Sequence, residues 1–320
     1  MEQEPVTLQE AIVYFSNPAN CREFLVSRRW PNGVTCPRCG SANILFLEKY
    51  NRWQCREGHG SPQFTLKTGT PMEDSPIGLD KWLFAMWQVV NCKNGVSSCE
   101  IAKNLGITQK SAWFMDHRIR CMLGLEPTEK ASGHVEADET FIGQKARNMH
   151  ASVRARKITG TGGKDKTAVM GILERTKDGK NSTVRTKVIP NRKKGALHAE
   201  VRKHVEAGSA LYTDALQSYN GLDEFQHQVV DHAVQYVDGH VHTNGMENFW
   251  SLLKRGLRGT YVSVEPFHLF RYLDEQVFRF NNRKMTDAER FDMVVHGMVG
   301  KRLTFDQLIG KTPDYATCSN

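Results

Sequence analysis

The sequence predicts a multidomain protein of the α+β/α/β type, and three observations lead to this fold class. A Cys-x2-Cys pair lies among turns and short strands, two helical segments with a glycine turn between them follow, and strand-like runs then alternate with helical runs. The chain accordingly divides into an N-terminal helical segment (1–30), a zinc ribbon (31–75), a helix-turn-helix region (76–130), a mixed-sheet domain (131–300) and a C-terminal tail (301–320).

The composition is that of a folded, basic protein. Of the 320 residues, 39% are hydrophobic and 24% are charged, which excludes global disorder, and the net charge of +8 favours a polyanionic partner. The longest apolar run, Trp82–Val90, is far shorter than the roughly 20 residues of a membrane-spanning helix. The N-terminus is acidic, and only one close pair occurs among the eight cysteines. We therefore expect a cytoplasmic protein in a reducing compartment.

The cysteine pair has the spacing of a structural zinc site. Cys36 and Cys39 form the first pair, Cys55 follows after fifteen residues, and His59 offers a fourth ligand. Zn²⁺ takes four thiolate or imidazole ligands in a tetrahedron, and a site with four protein ligands has a structural role. Gly58 stands where a second Cys-x2-Cys would need cysteine, so the alternative is a degenerate ribbon that has lost its metal.

The region after residue 78 has the order of a helix-turn-helix. An amphipathic helix is predicted over Leu79–Asn91, a second over Ser97–Asn104, and a third begins after a glycine turn with Thr108 as its cap. Side chains at the start of the third helix would face the DNA groove. The predicted DNA-contacting residues there are Gln109, Lys110 and Ser111. The alternative is a plain three-helix bundle.

A basic segment lies between two predicted strands. Residues Gln144–Lys166 contain seven lysines and arginines against a single acid. We predict that Arg154, Arg156 and Lys157 in this segment contact backbone phosphates. The alternative is a solvated, flexible loop.

Three acids occur in an order that suits a two-metal site. Asp138 lies on a strand with alternating polarity, Asp214 ends a later strand, and Glu247 lies in the first turn of a helix beyond. Such acids can converge on two Mg²⁺ ions about 4 Å apart that carry out phosphoryl transfer. Lys254 follows Glu247 by seven residues on the same helical face, where its ammonium could reach a phosphate.

Each acid also has a structural explanation. Asp138 could be a solvent-facing strand residue, and Asp214 could form an Asx turn at a strand end. Asn244 and Glu247 have the spacing of a helix N-cap and its N3 partner, so they could form a capping box.

The chain resembles the bacterial insertion-sequence transposases of the DDE superfamily, in the branch that begins with a zinc ribbon. The N-terminal half carries RRWPNGVTCPRCGS, FTLKTGTPMEDS and LGITQKSAWFMDHRIR, and the C-terminal half carries VEADETFIG, LYTDALQSY, HTNGMENFWSLLKRGLRGTY and HLFRYLDEQVFRFNNR. The resemblance covers nearly the whole chain, and it implies a ribonuclease H-like catalytic domain.

The resemblance also implies the catalytic residues and cofactors. Asp138, Asp214 and Glu247 would bind two Mg²⁺ or Mn²⁺ ions, with Lys254 as the following basic residue and Arg255 beside it as a DNA contact. Some relatives carry asparagine at the third position, so Asn244 competes with Glu247. One structural Zn²⁺ would be bound by the ribbon.

The implied function is that of a transposase. It would bind the terminal inverted repeats of its own element, cut the 3′ ends and join them to target DNA, as a homodimer or larger assembly on DNA and with neither a membrane nor a small-molecule substrate. Two alternatives stay open: a catalytically inactive, domesticated zinc-ribbon DNA-binding protein, and a nuclease of the same fold.

Overall fold

The computed structural model describes residues 3–124, 129–143, 150–152, 155, 166–176, 181–230 and 242–312. Two compact units make up the chain, residues 1–124 together with 285–320, and residues 125–284. No helix within the described ranges is long and apolar enough to cross a membrane.

The first unit combines helices with a small antiparallel sheet. Helix α1 begins at a capping box between Thr7 and Glu10, and α2 begins with Pro18 behind the cap residue Asn17. The elements of the unit up to residue 124 are α1 (Leu8–Phe15), α2 (Pro18–Arg29), β1 (Ile44–Leu47), β2 (Arg52–Cys55), β3 (Gln63–Phe64), α3 (Leu79–Asn91), α4 (Ser98–Leu105) and α5 (Gln109–Leu123).

Local sequence signals fix the ends of α3, α4 and α5. Helix α3 has the predicted bounds, and a capping box between Ser97 and Glu100 starts α4. Gly106 ends α4 in the left-handed conformation with φ 60°, which glycine adopts without steric cost. Thr108 then accepts a hydrogen bond from the backbone of Ser111 and caps α5, as predicted.

Helices α9 (Asp287–His296) and α10 (Phe305–Leu308) complete the first unit. Phe291 of α9 is buried and contacts the rings of Phe15, Phe24 and Trp87. The sequence places residues up to 300 with the mixed-sheet domain, whereas those after 284 pack into the first unit. The reason is this aromatic cluster, in which Phe291 contacts residues that lie about 200 to 280 positions before it in the chain.

The second unit is a five-stranded mixed sheet with helices on both faces. The strand order is β6-β5-β4-β7-β8, in which β4, β5 and β6 pair antiparallel while β7 and β8 run parallel to β4. The elements are β4 (His134–Ile142), β5 (Thr167–Glu174), β6 (Thr183–Ile189), α6 (Lys194–His204), β7 (Ala210–Asp214), β8 (Gln226–Val230), α7 (Asn244–Gly259) and α8 (Leu269–Asn281). A mixed sheet with helices is thus confirmed, while its assignment as ribonuclease H-like stays a prediction.

Successive side chains of β4 point to opposite faces of the sheet and so lie against two different cores. Val135 and Ala137 face the core that contains Leu197 and Val201 of α6. The intervening polar residues face α7, whose apolar side chains pack on β5 and β6. The strand HVEADETFI therefore has polar residues on the face that α7 covers.

Candidate functional site

The four predicted zinc ligands lie together in the ribbon. Their donor atoms all lie within 4.8 Å of one another. The Sγ of Cys36 is 3.5 Å from Nε2 of His59, and the Sγ of Cys39 is 3.6 Å from that of Cys55. Donors bonded to one tetrahedral zinc lie about 3.6–3.8 Å apart. The set therefore fits a zinc ion. His59 provides the fourth donor, which the sequence left uncertain because Gly58 stands where a second Cys-x2-Cys pair would need cysteine.

The turn that contains Cys36 and Cys39 also favours the thiolate form of Cys36. The backbone of Gly40, which has φ 75°, donates a hydrogen bond of 2.8 Å to the carbonyl of Cys36 and closes the turn. Burial acts to raise the pKa of the Cys36 thiol, but hydrogen bonds from the backbone of Arg38 and Cys39 outweigh it and lower the pKa to about 7. A thiol with a lowered pKa binds metal more readily, because the thiolate is the ligand.

Strand pairing places the first two acids side by side. Strands β4 and β7 run parallel with Glu136 opposite Tyr212. Asp138 and Asp214 each follow this pair by two residues on their own strands, so both side chains leave the sheet on the face covered by α7, and the charge of Asp214 acts on Asp138.

Backbone and side-chain donors orient both carboxylates. Asp138 accepts hydrogen bonds from the backbone of Glu139 at 2.8 Å and from Nε1 of Trp250 at 2.9 Å. Asp214 accepts one from the backbone of Leu216 at 3.2 Å, which is the predicted Asx turn. Asp214 thus forms the Asx turn and also lies near Asp138, so its structural explanation does not exclude a role in the acid cluster.

Helix α7 carries the third acid and is fixed to the sheet near its N-terminus. The backbone N–H of Met246 donates a hydrogen bond of 2.9 Å to Glu136, whose side chain is 1% exposed. Arg175 forms an ion pair with the same carboxylate at 2.8 Å. Gly171 lies opposite Asp138 on β5. Because it has no side chain, α7 can pack close to the sheet there, whereas a Cβ would lie 2.7 Å from the ring of Trp250.

Glu247 is exposed in the first turn of α7 and does not belong to a capping box. Thr243 is the N-cap and makes no side-chain capping bond, so Asn244 is the first helical residue rather than the cap. The capping-box alternative is therefore wrong, because the helix starts one residue earlier than that spacing requires. Both Asn244 and Glu247 are exposed to solvent.

The acids form a strongly negative cluster. Burial and the charge of Asp214 raise the pKa of Asp138 to about 6, against hydrogen bonds from Glu139 and Trp250, and the charge of Glu247 raises it further. Burial also raises the pKa of Glu139 to about 7, with a contribution from Asp214. Carboxylates that repel one another in this way suit a divalent cation, which would relieve the repulsion.

The acid cluster is more open than the zinc site. The donor atoms of the four cysteine and histidine ligands all lie within 4.8 Å of one another, and in the described part of the chain this is the group of three or more potential ligands that is so compact. Asp138, Asp214 and Glu247 are close enough for their charges to interact but do not form such a compact set.

Lys254 lies near the acids, as its spacing from Glu247 predicts. It is half-buried, and the negative charge of Asp138 acts on it. Burial and the positive charge of Arg258 nevertheless lower the pKa of Lys254. Arg255, the next residue, is exposed.

Several residues that support the acids were not singled out from the sequence. Glu136 and Arg175 fix α7, and the hydroxyl of Tyr219 donates a hydrogen bond of 2.8 Å to Glu139, whose side chain is 2% exposed. The run of three acids in HVEADETFIG was visible, but their partners lie about 40 to 110 residues away. Local spacing gives no signal for such contacts.

The predicted DNA-contacting residues of α5 are partly engaged within the protein. The side-chain amide of Gln109 donates a hydrogen bond of 2.8 Å to Ser98, and the hydroxyl of Ser111 is 2.9 Å from that of Thr108. Lys110 is exposed, with its ammonium 5.4 Å from the ring centre of Phe305. The predicted contacts Arg154, Arg156 and Lys157 lie outside the described residues.

Comparison with known families gives two matches. Residues 130–281 match the ISXO2-like transposase domain, and residues 16–59 match a transposase zinc-ribbon domain. The first match contains Asp138, Asp214 and Glu247, and the second contains all four zinc ligands.

Two relatives are similar to this chain. A protein in the transposable element ISH50 of Halobacterium salinarum is 27% identical over 286 residues, which cover 83% of this chain and 93% of the relative. A transposase-like protein of Haemophilus influenzae is 36% identical over 104 residues, which cover 32% of this chain and 84% of the relative. With a zinc ribbon and an ISXO2-like domain in this order, the chain belongs to the insertion-sequence transposases of the DDE superfamily.

Proposed function

We propose that this protein is an active transposase that binds the terminal inverted repeats of its element, cuts their 3′ ends and joins these ends to target DNA. The observation that carries the proposal is the proximity of Asp138 on β4 to Asp214 at the end of the parallel strand β7, where the charges of Asp214 and Glu247 both act on Asp138. Repelling carboxylates of this kind are a costly arrangement for stability alone, and they mark functional sites.

The chain's own residues would have distinct roles. Asp138, Asp214 and Glu247 would hold two Mg²⁺ or Mn²⁺ ions, which when bound activate the attacking oxygen and stabilise the leaving oxygen. Lys254 would bind a phosphate beside them. The hydrogen bonds from Trp250 and from the backbone of Leu216 keep the first two carboxylates oriented.

Glu247 is the better candidate for the third acid. It lies seven residues before Lys254, so both project from one face of α7, whereas Asn244 is rotated about 60° around the helix from Glu247. A carboxylate is also a stronger ligand for Mg²⁺ than an amide. The charge of Glu247 already acts on Asp138.

The first unit would bind the DNA ends. Its zinc ribbon and the helices α4 and α5 would contact the repeats, and the exposed Lys110 would bind a phosphate there. Arg154, Arg156, Lys157 and Arg255 remain proposed phosphate contacts. Because two ends must be joined in one reaction, we propose a dimer or larger assembly on DNA.

Strand transfer with a labelled terminal-repeat duplex in Mg²⁺ tests the proposal. We expect joined product from wild type and from Asn244→Ala, and none from Asp214→Ala or Glu247→Gln. Survival of activity in Glu247→Gln together with its loss in Asn244→Ala would give the third position to Asn244. A folded, zinc-loaded wild type that binds the duplex without cutting would support the inactive DNA-binding alternative, and cutting without joining would support a nuclease.

A further inference from the structure

Three basic side chains lie together beside the acid cluster without an acidic partner. Lys254 and Arg258 are one helical turn apart on α7, and Lys166 immediately precedes β5. In the described ranges of the chain, none of the three forms a hydrogen bond or ion pair with an acid. Other basic residues of the same unit do have acidic partners: Arg175 pairs with Glu136, Arg202 with Glu224 and Arg279 with Glu275.

Packing of α7 on the sheet brings the three side chains together. Leu253 and Leu257, in the C-terminal half of the helix, belong to one apolar core with Val169 of β5, and Ile142 at the end of β4 packs against that core. This half of α7 therefore lies over the start of β5, next to Lys166. Lys166 also lies against Gly143, where a Cβ would be 3.0 Å from its side chain.

Arg258 and Lys166 are both close enough for their charges to act on Lys254. After burial, the charges of Arg258 and Lys166 are among the causes that lower the pKa of Lys254. The charge of Asp138 opposes this repulsion at Lys254, and an anion bound among the three basic groups would reduce it further. Lys254 and Arg258 share their helical face with Glu247, at spacings of seven and eleven residues, so such an anion would lie on the same side of α7 as the acids.

We propose that Lys166, Lys254 and Arg258 form a binding site for backbone phosphates of the DNA strand that enters the acid cluster. The proposal rests on the proposed function for the identity of the ligand, and it adds Lys166 and Arg258 to the residues that bind the substrate. From Glu247, Lys254 and Arg258 lie about 10 and 16 Å along the helix axis. At about 3.4 Å of rise per nucleotide, the contacted phosphates would be roughly three to five nucleotides from the cleaved bond.

Salt-dependent binding of a terminal-repeat duplex tests the site without any chemistry. We would measure the affinity of Lys166→Ala, Arg258→Ala and wild type in Ca²⁺ over a series of salt concentrations. Loss of one phosphate contact reduces the slope of log K against log salt by about 0.9. We expect each alanine variant to show that reduction in slope, and we expect Arg258→Lys to have the wild-type slope.

Lys203→Ala is the matched control. Lys203 is an exposed lysine of α6, which packs on the opposite face of the sheet from α7, and its removal should leave the slope unchanged. A duplex with a neutral methylphosphonate three to five nucleotides from the cleaved bond gives a second check. Wild type and Arg258→Ala should bind that duplex equally well.

The outcomes separate this inference from the proposed function. If wild type joins DNA but both alanine variants keep the wild-type slope, the phosphate site is wrong and the transposase proposal stands. If the variants lose slope as expected but wild type never joins DNA, the site stands and the enzymatic proposal fails. A wild type that binds no DNA would overturn both.

Discussion

Asp138 is the residue at which the demands of function and stability conflict most directly. Its folded-state pKa of about 6 lies above the ordinary aspartate value of 3.8, because burial and the charge of Asp214 disfavour its charged form. A raised acid pKa means that the folded chain binds the proton more tightly than the unfolded chain. The ionised residue therefore lowers stability above pH 6, and this cost disappears as the pH falls towards 4.

We expect Asp138→Asn to stabilise the metal-free protein at pH 7.5 by about 1–3 kcal/mol, since the substitution removes the buried charge. Urea unfolding in EDTA would measure this gain, which should shrink at pH 5. The same variant should give no strand transfer. A variant less stable than wild type at pH 7.5 would show that the carboxylate is not a source of strain.

His59 can be tested in the same way as a single ligand. We expect one zinc per wild-type chain, and a loss of at least half of it in Cys39→Ser and in His59→Ala, because three remaining ligands bind zinc less tightly than four. Cys99→Ser is the control, since Cys99 is an exposed free cysteine outside the cluster. Elemental analysis of the purified proteins measures the ratio, and full zinc in His59→Ala would remove His59 from the ligand set.

At the scale of elements, the seating of α7 on the sheet decides where Glu247 and Lys254 lie. Gly245 allows this seating, because a Cβ there would be 2.9 Å from both the carboxylate of Glu136 and the side chain of Leu173. Gly259, at the other end of the helix, has no atom within 4 Å of the same position. The two glycines form a matched pair for mutation.

We expect Gly245→Ala to lower stability by about 1–3 kcal/mol and strand transfer by tenfold or more, since the helix must move away from Glu136. Gly259→Ala should leave activity unchanged and stability equal or slightly higher, because alanine favours a helix. Thermal unfolding and the strand-transfer rate give the two readouts. Equal behaviour of both variants would contradict the close seating of α7.

The elements that could be predicted from the sequence are those with local signals. The bounds of α3, the cap Thr108 and the zinc ligand set all depend on residues within about 25 positions of one another, and the structure has each of them. The anchoring of α7 by Glu136 joins residues 110 positions apart, which no periodicity encodes. The capping box assigned to Asn244 failed because spacing alone does not fix which residue begins a helix.

At the scale of the whole molecule, the two units have separate cores. We therefore expect a zinc chelator to increase amide hydrogen exchange in residues 36–64, where the ribbon depends on its metal, while β4 and β5 stay protected by their own pairing. Exchange measured by mass spectrometry before and after chelation gives the comparison. A similar increase across β4 would mean that the ribbon stabilises both units.

The return of the chain to its first unit has a consequence for synthesis on the ribosome. Phe291 contacts Phe15, Phe24 and Trp87, so the aromatic core of that unit is incomplete until residue 291 has been translated. A product truncated after residue 284 would leave these rings uncovered and would be a target for chaperones and proteases. Element copies with a premature stop codon just before the codon of Phe291 should thus yield degraded chains rather than stable competitors for the DNA ends.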